Sequence, residues 1–179
     1  NIKSIFQLKT LVDDIKNFFK DDKYPILIDQ EGGKVSRLNK IIDLSVFSQD
    51  FFGKSYIKDK KLFYNLYKIY INTICDILKN VGININTVPV LDIRRKKSHN
   101  IIGSRSFSEN STIVSNLGKL CIDFHEKNKV ATVMKHIPGH GLAKCDSHYK
   151  TPVIYANKKE LFKKDFKPFK INKSLFAMT

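Results

Sequence analysis

VATVMKH, residues 130–136, is a run of β-branched and apolar residues that ends on two adjacent basic groups, Lys135 and His136. A short apolar run of that composition reads as a buried strand. The change of character at its C-terminal end sets polar chemistry where the strand leaves the core. Two other runs repeat the arrangement. YPILID (24–29) closes on Asp29, and INTVPVLDI (85–93) carries Asp92 directly after TVPVL, with Pro89 marking the strand's exit. A fourth run, SLFAM (174–178), begins another strand.

Helical patterns separate these runs. SIFQLKTLVDDIKNFFK (4–20) places Ile5, Leu8, Leu11, Val12, Ile15, Phe18 and Phe19 at helical spacing. IKDKKLFYNLYKIYINTICDILKN (57–80) reads as one long amphipathic helix ended by Val81-Gly82. STIVSNLGKLCIDFHEKN (111–128) is a helix with Asn110 or Ser111 as its N-cap, and KKELFKKDFKPF (158–169) is a fourth. Alternation of helix and short apolar strand predicts an α/β fold with a parallel sheet. A doubly wound nucleotide-binding sheet would want a glycine-rich first turn, and DQEGGKVSR (29–37) is not GxGxxG. Polar residues gathered at the C-terminal ends of several parallel strands are the layout of a (β/α)8 TIM barrel. A whole barrel needs roughly 250 residues. The 179 residues form one domain, read as a partial barrel with its first and last strands missing.

Composition narrows the function classes. The chain is 42% hydrophobic and 27% charged, the balance of a soluble globular domain, and no apolar run approaches a membrane span. It opens on Asn1 rather than Met, so a removed leader is left open. Cys75, Cys121 and Cys145 are widely spaced and odd in number, which reads as reduced thiols in a cytoplasmic protein. The net charge of +15 comes from lysines scattered along helix faces. With no RNA-recognition or helix-turn-helix pattern, specific nucleic-acid binding is not expected, only weak attraction to polyanions.

The densest chemistry lies in KHIPGHGLAKCDSHY (135–149), which holds three of the five histidines. His136 and His140 have the i, i+4 spacing of a zinc pair, but Pro138, Gly139 and Gly141 argue against a helix there, so metal binding is the minor reading. Cys145 or Ser147 beside His148 does not make a nucleophile pair by adjacency alone. Acid/base chemistry fits better. In an extended loop Asp146 and His148 point to one side, where a carboxylate can fix an imidazole tautomer and leave the other nitrogen free to exchange a proton.

KHIPGHGLAKCDSH resembles the Lys-His-Phe-Pro-Gly-His-Gly-Asp…Asp-Ser-His signature of glycoside hydrolase family 3, in its bacterial β-N-acetylhexosaminidase branch. ILIDQEGGKVSRL, GININTVPVLDI and IIGSRSFSEN are similar to three further segments of that branch, in the family's order and across almost the whole chain. The resemblance implies that Asp29, Arg37, Arg105, Lys135 and His136 bind the sugar. It implies that His148 is the acid/base, with Asp146 as its partner, in place of the carboxylic acid usual in retaining glycosidases. The implied reaction releases terminal β-linked N-acetylglucosamine from peptidoglycan fragments with retention, with no metal or cofactor, in a cytoplasmic monomer whose partner is a carbohydrate. The nucleophilic aspartate is expected on a later strand, past Thr179, so the 179 residues alone are expected to be inactive. The alternatives are a β-glucosidase or β-xylosidase of the same family, and a sugar-binding remnant without catalysis. Two positions depart from the pattern: Lys34 replaces an arginine and Leu142 an aspartate.

Overall fold

The computed structural model describes residues 2–95, 101–143, 151 and 153–179. Strands β1 (Leu27–Ile28), β2 (Ile85–Asn86), β3 (Ala131–Lys135) and β4 (Phe176–Met178) form one sheet in the order β1-β2-β3-β4. Every pairing is parallel, with Leu27 opposite Ile85, Asn86 opposite Thr132 and Lys135 opposite Met178. The strand order contains no reversal, so each crossover carries the chain one strand farther in the same direction. Helix α1 (Ile5–Phe19) precedes β1. Helices α2 (Gln49–Lys58) and α3 (Lys60–Asn80) join β1 to β2; a 3₁₀ turn at Gly103–Arg105 and α4 (Ser111–Lys127) join β2 to β3; α5 (Lys158–Lys163) and α6 (Lys167–Ile171) join β3 to β4. The α/β class with a parallel sheet is as the alternation predicts. Among the described residues no helix is long and apolar enough to cross a membrane.

Local chemistry sets the helix ends. The side chains of Ser4, Asp59 and Asn110 accept hydrogen bonds from backbone N–H groups of the first turns of α1, α3 and α4. Asn110 is one of the two caps anticipated. Two helices differ from expectation. The run 57–80 is interrupted at Asp59, whose extended backbone (φ −154°) ends α2 and caps α3. Helix α2 itself was not anticipated, because Gly53 sits in its middle and glycine is a poor helix former. A Cβ on Gly53 would lie 1.8 Å from the Phe107 carbonyl oxygen, so glycine lets α2 approach the segment after the 3₁₀ turn. The run 158–169 splits into α5 and α6, because Pro168 fits a first helical turn and not a helix interior.

The core lies between the sheet and the α2–α4 layer. Phe52, Phe63, Tyr67, Phe107 and Phe124 are buried there, with Phe52 and Tyr67 ring centroids 4.6 Å apart. Cys75 and Cys121 are buried free thiols whose pKa values burial pushes up to about 12, which makes them poor nucleophiles. Outside this core Phe6, Phe18 and Leu175 are exposed at 82%, 80% and 73%.

Candidate active site

The polar residues at the strand ends converge. Asp29 directly follows β1, Thr87 directly follows β2, and Lys135 is the last residue of β3. Successive side chains of an extended segment alternate, so Asp29 and Glu31 share one side and Gln30 takes the other. Lys135 reaches across the sheet to that shared side. Its ammonium pairs with Asp29 Oδ1, lies 2.6 Å from Glu31 Oε1, and donates to Thr87 Oγ1 at 3.1 Å. Only 2% of the Lys135 side chain is exposed, so a charge is held inside the fold by two carboxylates.

Glu31 is the hub of the cluster, with a side chain 2% exposed. Arg105, delivered by the 3₁₀ turn, grips it in a two-pronged pair: Nε to Oε2 and Nη2 to Oε1, both 2.8 Å. Burial works to lower the Arg105 pKa, but the Glu31 hydrogen bonds and charge, with Asp29 and Asp92, raise it above the ordinary value.

Asp29 is the more open carboxylate, with 35% of its side chain exposed. Thr87 Oγ1 donates to its Oδ1 at 2.6 Å, and Arg37, mostly exposed, donates to Oδ2 at 3.3 Å. Burial works to raise its pKa, but the hydrogen bonds from Lys135 and Thr87 and the charges of Lys135 and Arg37 prevail and hold it below the ordinary carboxylate value. Asp29 is therefore an ionised acceptor at the rim.

His136 turns its Nδ1 to Asp92 Oδ2 at 2.5 Å and its Nε2 to Arg105 Nη2 at 3.3 Å. A guanidinium can only donate, so Nε2 accepts and the proton sits on Nδ1, donated to Asp92. The second Asp92 oxygen accepts the backbone N–H of His140 at 2.6 Å. Asp92 is fully buried and fixes the loop after β3 rather than facing solvent. The turn after β1 has a similar anchor. Gly32 has φ +89°, and a Cβ there would lie 2.3 Å from the Phe47 carbonyl oxygen.

The structure thus brings Asp29, Arg37, Arg105, Lys135 and His136 into one cluster. Asp146 and His148, with Cys145 and Ser147, lie outside the described residues. Lys34 is exposed and Leu142 is half-buried. Among the described residues no group of three His, Cys, Asp or Glu side chains is placed to hold a metal, and the His136 and His140 rings stand 6.1 Å apart. Sequence reasoning missed Glu31 and Thr87. Ionised acceptors beside fixed donors, in a partly closed rim, suit a polyhydroxylated ligand.

The model of the glycosyl hydrolase family 3 N-terminal domain matches residues 1–174. The chain belongs to this family. It is 31% identical over 173 residues to beta-hexosaminidase A of Pseudoalteromonas piscicida, covering 94% of this chain and 28% of that protein. It is 31% identical over 170 residues to a beta-hexosaminidase of Hydrogenovibrio crunogenus, covering 94% of this chain and 46% of that one. The family 3 chain therefore spans less than half the length of these two relatives. Among solved structures it is similar to NagZ from Neisseria gonorrhoeae in complex with N-trifluoroacetyl-D-glucosamine. The TM-score is 0.88 and the identity 29%, over 99% of this chain and 53% of that one. It also resembles the beta-N-acetylglucosaminidase from Thermotoga maritima, with a TM-score of 0.71 and 25% identity over 91% of this chain and 32% of that one.

Proposed function

We propose that this chain is the sugar-gripping part of a β-N-acetylhexosaminidase that releases terminal β-linked N-acetylglucosamine with retention. One observation carries the reading: Asp29, Lys135, Arg105 and His136 stand at or after the C-terminal ends of three parallel strands and meet in a single hydrogen-bonded cluster. That is where a TIM barrel holds its substrate, and we take the 1–179 domain as a partial barrel. The names of its relatives, and the glucosamine derivative bound to the Neisseria protein, support the choice of sugar.

In this reading the sugar exchanges for contacts within the cluster: Asp29 accepts from its hydroxyls as Arg37 leaves Oδ2, and Arg37, Arg105 and Lys135 each turn a donor from the cluster to the ring. His136, held through Nδ1 by Asp92, turns its Nε2 from Arg105 to accept from a sugar hydroxyl. Asp146 orients His148, which protonates the departing glycosidic oxygen and later takes a proton from the attacking water. The carboxylate nucleophile is taken to lie outside the 179 residues, as the resemblance to the family implies. The substrate class is a peptidoglycan fragment.

The test is hydrolysis of paired aryl glycosides by the full-length gene product. The N-acetyl-β-glucosaminide should be cleaved, and the plain β-glucoside and β-xyloside far more slowly. Equal or reversed rates would support the glucosidase or xylosidase alternative. Binding without turnover of any of them would support the non-catalytic remnant.

A further inference from the structure

The proposed sugar site stands on a second polar layer, buried between the sheet and α4. Asn86, the last residue of β2, is 1% exposed and binds both main-chain groups of Gln30: its Oδ1 accepts the Gln30 N–H at 3.1 Å, and its Nδ2 donates to the Gln30 carbonyl at 3.1 Å. Gln30 is the residue between Asp29 and Glu31. The Gln30 side chain extends the scaffold, since its Oε1 accepts the backbone N–H of Arg37 at 2.9 Å and of Leu38 at 3.1 Å. One carboxamide therefore clamps the peptide that carries both site carboxylates, and that peptide's own side chain holds the loop that carries Arg37.

These bonds fix the Asn86 orientation, because a backbone N–H needs the oxygen and a carbonyl needs the nitrogen. The second hydrogen on Nδ2 then points at His125 Nε2, 3.3 Å away on α4. His125 is 3% exposed, and its Nδ1 lies 2.8 Å from the Cys121 carbonyl oxygen. The carbonyl requires the proton on Nδ1, which leaves Nε2 as an acceptor for Asn86. Every polar atom along this chain of contacts has one consistent assignment.

We propose that His125, on α4 and outside the ligand cluster, is a positioning residue for the sugar site: its Nε2 lone pair orients the Asn86 carboxamide, which clamps the peptide between Asp29 and Glu31. The proposal rests on the sugar reading above. Removing the acceptor leaves a buried Nδ2 hydrogen unmet and frees the carboxamide to rotate away from Gln30. Asp29, Glu31 and Arg37 would then lose their common reference.

The test uses the full-length gene product and two carboxamide variants. The His125→Gln side chain is long enough to put an acceptor where Nε2 lies. The His125→Asn side chain reaches only the Nδ1 position and leaves Asn86 unmet. With N-acetylglucosamine as the binding probe and an N-acetyl-β-glucosaminide as substrate, at a temperature where both variants are fully folded, His125→Asn should weaken binding of the first and raise KM for the second roughly tenfold, the scale of one unmet buried donor. His125→Gln should stay within about threefold of the wild type by the same reasoning. Equal affinities in both variants and the wild type would overturn the proposal, as would equal damage in both. If His125→Asn does not fold, ¹⁵N spectra of the wild-type imidazole decide: a proton on Nδ1 with a bare Nε2 supports the relay, and a proton on Nε2 overturns it. A wild type with the expected tautomer that neither binds nor cleaves the sugar fails the functional reading instead, and the assignment to that site falls with it.

Discussion

Replacing Glu31 with glutamine tests the cluster at its hub. Glu31 sits among Lys135 at 2.6 Å and two Arg105 nitrogens at 2.8 Å, and its side chain is 2% exposed. Each pairing is worth about 4 kcal/mol at 4 Å and an effective dielectric of 20, and the desolvation of both ions offsets much of that. Removing the charge leaves the desolvation in place and withdraws the attraction. Breaking a buried pair from one side costs about 3–5 kcal/mol. Glutamine keeps the volume and one acceptor oxygen but turns an NH2 toward a cation that can only donate. Glu31→Gln should therefore lose about 3 kcal/mol of stability, at the lower end of that range, and Glu31→Ala should lose at least as much. Lys135, freed on one side, should lean on Asp29 and compete with the sugar for its carboxylate. Chemical denaturation of the full-length gene product, followed by sugar titration of the folded variant, reads both effects. A Glu31→Gln protein within about 0.5 kcal/mol of wild type, the range of an ordinary surface substitution, would refute the idea that Glu31 holds the two cations.

Asp29→Ala should abolish most sugar affinity, roughly 10- to 100-fold on the scale of hydrogen bonds to a charged group, with a smaller stability loss because 35% of the side chain is exposed; melts beside titrations separate the two. His148→Ala should lower kcat roughly 10²- to 10⁴-fold while sugar binding changes little, measured on a disaccharide whose leaving group needs a proton. Burial pushes His125 down to about 4, against a backbone hydrogen bond to Cys121 that acts the other way, in a cavity it shares with Glu31, Tyr67, Tyr70 and Cys121. The unfolded chain takes up this proton first, so the His125 contribution is whole above about pH 6.5 and is lost as pH falls toward 4, about 3 kcal/mol in all. The low Asp29 pKa gives stability that is present above the ordinary carboxylate value and lost only at lower pH. Denaturation of wild type and His125→Gln across pH 4–7 should differ by the His125 slope. The 179-residue chain expressed alone should aggregate and show no hexosaminidase turnover, because among the described residues β1 and β4 are the outer strands of the sheet and Phe6, Phe18 and Leu175 are exposed; light scattering and release of an N-acetylglucosaminide chromophore check this.

Legibility in the sequence followed the strength of local signals. The apolar runs ending on Asp29 and Lys135 announced their strands, since a core strand that stops on a charge has few other readings; in the run 85–93 the strand stops at Asn86, short of Asp92, because the chain turns through Pro89 after it. Helix α2 was hidden because Gly53 answers to a distant carbonyl at Phe107, a tertiary demand that leaves no helical signature. Glu31 was passed over inside a turn motif rich in glycine. Its signal was the alternation from Asp29, which puts it on the same side, together with Lys135 and Arg105, two cations in need of buried counter-charge. Thr87 has no signal of its own, because its role exists only once Asp29 and Lys135 flank it. His125 was findable in principle: it falls one helical turn after Cys121, on the stripe that α4 buries with Leu117 and Gly118. A histidine on an apolar stripe needs partners for two nitrogens, and Asn86 and the Cys121 carbonyl supply them.

A crystal structure of the full-length gene product with N-acetylglucosamine tests the central claim most directly. The sugar should lie at the rim of the strand-end cluster, with hydroxyls within hydrogen-bond distance of Asp29, Lys135, Arg105 and His136 and with Glu31 still buried behind them. A saturating sugar found away from this cluster, or a cluster left without sugar, would contradict it.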